Sequence, residues 1–198
     1  MSFESVKIFE EKIADFFGSK YAVAFDSCTH GIEASLHLKK IKTISVPKRT
    51  YISIPFLAKK MDIGLEWREE VWQDYYEVAP GIYDAAVLWK RNSYIPGTIM
   101  SLSFQFQKHL SLGRGGMVLC DDLETAVGLK KLSYDGRVPN IPWREQDISS
   151  FGLHYYMTPE TATLGIEKLQ EAIETEPRKW TVTDWPDLTE MSVWKNQI

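Results

Sequence analysis

Only two cysteines, Cys28 and Cys120, occur among 198 residues, and neither belongs to a CxxC pair or a Cys/His cluster. A disulfide framework and a structural zinc are thereby excluded, and a reducing cytoplasm is the expected compartment. Stretches of 18 or more apolar residues are missing, and the opening segment through Lys7 lacks the apolar run of a signal peptide, so neither membrane passage nor export is expected. Twelve glycines and nine prolines are too few for a low-complexity chain. An excess of positive charge is missing too. With a net charge of −4, no general attraction to nucleic acid or to an anionic membrane is expected, and any anion site must be local.

What is present reads as a globular chain with 44% hydrophobic and 25% charged residues, and with seven tryptophans gathered mostly in its second half. Phe9, Ile13, Phe16 and Phe17 recur at helical spacing, so 3–17 is expected to be a helix ended by Gly18. A strand over Tyr21–Phe25, a polar turn and a helix over Ile32–Lys40 follow. Further strands are expected at Thr43–Pro47, Ile63–Trp67, Gly81–Leu88, Thr98–Phe106 and Gly116–Cys120, with a helix between Pro55 and Lys60. Asp121 and Glu124 read as the start of a helix that buries Leu123, Val127 and Leu132. Thr158 and Pro159 start another that buries Ala162, Ile166, Leu169 and Ile173. Six strands alternating with helices predict a three-layer α/β/α fold around one mostly parallel sheet. From Pro177 the Trp-rich tail loses helical periodicity, and it is expected to wrap over the core or over another subunit.

Three segments are candidates for chemistry. Ser27, Cys28 and Thr29 stand where a strand hands over to a helix, whose free first-turn amides can bind a phosphate; the same residues also serve as ordinary helix caps. Asp84 ends an apolar strand, where a carboxylate faces the ligand crevice of an α/β sheet or is simply buried and hydrogen-bonded. Lys108 precedes the turn Gly113–Gly116, which matches neither a Walker A loop nor a dinucleotide fingerprint, so nucleotide binding of those kinds is disfavoured.

Taken in order, five blocks resemble the DegT/DnrJ/EryC1/StrS sugar aminotransferases, fold-type-I enzymes that use pyridoxal 5'-phosphate. They are Phe9–Leu36, Val46–Tyr51, Tyr83–Ala86, Ser103–Gly116 and Gly152–Thr158 with Leu164 and Gly165. The resemblance implies that Lys108 forms the Schiff base with the cofactor, that Asp84 holds the pyridine nitrogen protonated, and that Tyr51 stacks on the ring. It implies further that Ser27, Cys28, Thr29 and Ser103 hold the phosphate, and that His154 reaches the site of a partner in a homodimer. A keto-sugar, nucleotide-linked, and an amino donor such as glutamate are the implied substrates. Val87, Arg114, His154 and Tyr156 replace the Gln, Glu, Asn and Arg usual in the family. The spacing from Trp67 to Asp84 is too short for the strand, helix and strand expected there, so residues 1–176 read as a trimmed large domain and 177–198 as a tail. Two other readings stay open: a cofactor-binding or structural homologue without activity, and another reaction of the same cofactor such as sugar dehydration.

Overall fold

The computed structural model describes residues 3–195; the outermost residues of the two expected segments, 1–2 and 196–198, lie outside it. Helix α1 (Glu4–Phe17) ends at Gly18, whose left-handed φ of 77° closes the helix as the sequence predicts. There follow β1 (Tyr21–Phe25), α2 (Cys28–Leu38), β2 (Thr43–Pro47), α3 (Ser53–Met61) and β3 (Gly64–Arg68). The chain continues through β4 (Tyr76–Ala79), β5 (Ile82–Asp84), β6 (Ile99–Ser103), β7 (Gly116–Cys120), α4 (Leu123–Ser133) and α5 (Pro159–Glu174). A short α6 (Ser192–Lys195) lies in the Trp-rich segment.

The fold is α/β in three layers, as expected, but the sheet is mixed. The described strands number seven and form two sheets, a five-stranded one in the order β1-β7-β6-β5-β4 and a parallel pair β2-β3. Within the larger sheet only β5 and β6 pair in parallel. The connections explain this. Parallel neighbours need a long crossover, which residues 85–98 supply between β5 and β6, whereas Pro80 and Gly81 join β4 to β5 and a hairpin loop joins β6 to β7. The expected strand Gly81–Leu88 is therefore the second arm of a hairpin and stops at Asp84.

Apolar side chains gather on both faces of the larger sheet. On one face Phe9, Ile13 and Phe17 of α1 meet α5, where Gly165 leaves room for the Phe9 ring; a Cβ there would sit 2.6 Å from it. On the other face α2, α3 and α4 pack with Ile32, Leu36, Leu57 and Leu129. Helix α4 buries Thr125, Ala126 and Leu129, while Leu123 and Val127, expected inside, are exposed. On this helix Gly128 lies against the tip of the Leu38 side chain of α2. In α5 Ala162 and Leu169 are buried with Gly165 and Ala172, and Ile166 and Ile173 are only half-buried.

Glu10 is a buried charge on α1. It accepts from the amide of Ala24 in β1 at 2.7 Å and pairs with Lys130 of α4, and burial still pushes its carboxyl above the ordinary range.

The Trp-rich segment lies over the core. Leu188 donates its amide to the Lys48 carbonyl, and Arg49 donates to the Trp185 carbonyl at 3.0 Å. The Trp185 ring packs on Trp72 with centroids 4.7 Å apart, and Trp72 donates to the Arg49 carbonyl. No helix among the described residues is long and apolar enough to cross a membrane.

Candidate active site

Strand β5 places Asp84 at its end, paired in register with Ser101 of β6. Two residues past Ser101, the chain leaves β6 into the loop that carries Lys108. That loop is a closed hairpin: Phe104 and Gly115, Phe106 and Gly113, and Lys108 and Gln105 are joined by backbone hydrogen bonds. Gly113 adopts φ 78° and Gly115 φ 149°, both in a region that side chains disfavour. Gly116 has a second task. A Cβ there would lie 2.4 Å from the backbone at Ser27 and Cys28, so its bare backbone lets the start of α2 come against β7.

Helix α2 begins at this contact. Ser27 is its N-cap and accepts from the His30 amide at 3.2 Å, while Thr29 shares a 2.7 Å hydrogen bond with Ser53. The capping reading of Ser27 is thus correct as structure, and it leaves the first-turn amides of Cys28 and Thr29 available to an anion.

A cavity of about 440 Å³ opens at this point. Ser27, Cys28, Thr29, Tyr51, Asp84, Ser103 and Lys108 all line it. The volume lies within the range of small-molecule sites. Of the residues expected from sequence, His154 alone does not line it. His154 is exposed, pairs with the Asp135 carboxylate at 3.0 Å and sits edge-on to Tyr156.

The electrostatics follow from burial. The amine of Lys108 is held below the ordinary lysine range by burial, with Asp84 pulling the other way. A lowered pKa makes more of the amine neutral and nucleophilic. Burial raises the Asp84 carboxyl, opposed by the Tyr76 hydroxyl, the Ala86 amide, Lys108 and the Cys28 thiol. Cys28 lies 3.9 Å from Asp84 Oδ1 and 3.4 Å from the Ser101 carbonyl, and burial beside a carboxylate keeps its thiol protonated.

Sequence reasoning missed two groups here. Tyr76 donates to Asp84 Oδ2 at 2.7 Å from the buried side. Trp180 and Trp185 of the C-terminal segment line the cavity, and Lys108 Nζ stands 4.6 Å from the centroid of Trp180. The Pro80-Gly81 pair between two alternating stretches was the available signal for the first; nothing in the tail's sequence tells where its tryptophans dock. Arg114, which replaces the family's Glu, reaches back to Asp26 at 3.0 Å.

The model of the DegT/DnrJ/EryC1/StrS aminotransferase family matches residues 1–59 and 93–185. The chain belongs to this family. Residues 60–92, which hold β3, β4 and β5, fall outside the match. The uncharacterized protein MJ1066 of Methanocaldococcus jannaschii is 24% identical over 83% of this chain and 56% of its own length. Among solved structures, AtS13 from Actinomadura melliaura superposes with a TM-score of 0.72 at 17% identity, over 87% of this chain and 61% of that one. A sugar aminotransferase described as putative, Spr1654 from Streptococcus pneumoniae in its PLP form, superposes with a TM-score of 0.71 at 15% identity, over 86% and 60%. At such identities the likeness is one of fold. The chain thus has the α/β fold of the PLP-dependent type I aminotransferases and spans a little over half the length of these relatives.

Proposed function

We propose that this cavity binds pyridoxal 5'-phosphate and that the chain transfers an amino group from a donor such as glutamate to a nucleotide-linked keto-sugar. One observation carries it: an amine of lowered pKa, a buried carboxylate and a helix N-terminus flanked by hydroxyls line the same 440 Å³ cavity. These groups fit the aldehyde, the ring nitrogen and the phosphate of that cofactor. When bound, it supplies a carbonyl carbon for amines and a ring that withdraws electrons.

The protein's part is then definite. Lys108 holds the aldehyde carbon and, once displaced, moves a proton at the reacting carbon. Asp84 holds a proton on the ring nitrogen. Ser27, Thr29, Ser103 and the first-turn amides of Cys28 and Thr29 hold the phosphate, and Tyr51, 55% exposed at the cavity mouth, covers the ring. Trp180 and Trp185 keep water from the opposite side. The exposure of His154 supports placing it at a second subunit's site in a homodimer.

The test is direct. Wild type mixed with pyridoxal phosphate should gain the visible band of the lysine-bound cofactor, and Lys108→Ala should not. Glutamate should then discharge the band and yield 2-oxoglutarate. A second reading, binding without transfer, is favoured by the contact of the Lys108 amine with Trp180; a band that glutamate and other amino donors leave untouched would establish it.

A further inference from the structure

Asp84 and the residue that supports it both lie outside the segments that match the family. Tyr76 of β4 stands directly opposite Asp84 of β5 in the antiparallel pairing, so the two side chains share one face of the sheet. The Tyr76 hydroxyl donates to Asp84 Oδ2 at 2.7 Å, and Thr50 Oγ1 lies 2.5 Å from the same hydroxyl. Tyrosine has one proton to give and gives it to the carboxylate, so the Thr50 proton points at the tyrosine oxygen. All three residues are buried.

The other oxygen, Oδ1, accepts from the Ala86 amide at 3.0 Å. Around Asp84 the titratable neighbours are Tyr76 from β4, Cys28 from α2 and Lys108 from the β6–β7 loop. A buried carboxyl left to itself keeps its proton, and each hydrogen bond donated to it favours the charged form. Only the charged form can hold a proton on a ring nitrogen.

We infer that Tyr76, steadied by Thr50, is a positioning residue that keeps the Asp84 carboxylate oriented and charged toward the cofactor's ring nitrogen. The inference rests on the pyridoxal phosphate reading of the cavity. The support comes from the Pro80-Gly81 hairpin, within residues 60–92, so this chain builds the back of its site from a stretch the family model does not match.

The experiment uses the full chain as wild type, Tyr76→Phe and Thr50→Val, each checked for folding by circular dichroism. In cofactor-free protein labelled with ¹³C at aspartate carboxyls, the Asp84 signal, assigned with Asp84→Asn, should titrate at higher pH in Tyr76→Phe than in wild type. Thr50→Val should move it less, in the same direction. Affinity for pyridoxal phosphate should fall in Tyr76→Phe by up to roughly tenfold, since the hydrogen bond is present with and without cofactor and only its strengthening on binding counts. If Tyr76→Phe does not fold, Thr50→Val decides. Wild type that takes up cofactor, beside folded variants with unchanged titration and affinity, overturns this inference alone. Wild type that takes up none overturns the cofactor reading and the inference with it.

Discussion

On one side of the cavity Ser27 and Cys28 are fixed by backbone against backbone, with Gly116 of β7 lying where no Cβ fits. Elsewhere Trp180 and Trp185 line it through stacked rings, and Tyr76, behind Asp84, supports it through a hydroxyl. The first side lies in segments matched by the family, and the second draws in part on residues 60–92, which are not. Backbone contact of the first kind tolerates almost no change, because a β-carbon cannot be turned aside. Packing of the second kind can be rebuilt from different residues, and part of it here lies outside the family match.

The sharpest way to break that contrast is Gly116→Ala. Its new methyl would meet main-chain atoms of Ser27 and Cys28 at 2.4 Å, so about 3 kcal/mol or more of stability should be lost, read by urea unfolding. A variant as stable as wild type would show that the first wall yields after all. Trp185→Ala tests the second wall. Its cost should be about 2–3 kcal/mol, at or below the low end for a Trp deletion because the strap can lift without opening the sheet. Proteolysis should then cut near residues 178–190 while circular dichroism stays native.

Asp84→Asn should show the smallest effect, and its sign is informative. Burial raises the Asp84 carboxyl above 3.8, so the folded chain keeps this proton to higher pH than the unfolded chain. The stability contributed by this group is therefore greatest in acid and declines as pH rises through the folded value. Asparagine does not ionise, so Asp84→Asn should match wild type in acid and exceed it at neutral pH, in unfolding curves taken across a pH series. A variant less stable at neutral pH would mean that the hydrogen bonds outweigh burial.

Much of this was legible in the sequence. Gly18, Ser27, Thr158 and Pro159 mark helix ends through local chemistry, and the helices they bound are present. Seven of the eight candidate site residues line one cavity. What escaped was set by distant contacts. The alternation Tyr76-Glu77-Val78-Ala79 before Pro80-Gly81 was readable as a hairpin arm, yet only the fold shows that Tyr76 meets Asp84. The buried face of α4, with Thr125, Ala126 and Leu129, is the one turned to β1 and α2, which no periodicity within α4 encodes. The docking of Trp185 on Trp72 joins residues more than half the chain apart.

The carboxylate that Glu10 lends to Ala24 also bears on how the sheet is finished at its margin. Strand β1 is an outer strand of the five-stranded sheet, and the unpaired amides of such a strand are a template for the strand of another molecule. By taking the Ala24 amide, with Lys130 holding it in place, Glu10 gives that main-chain donor a partner where no strand lies beside it. Its burial, costly to folding, is the consequence of satisfying a main-chain donor on an outer strand that α1 and α4 cover from water.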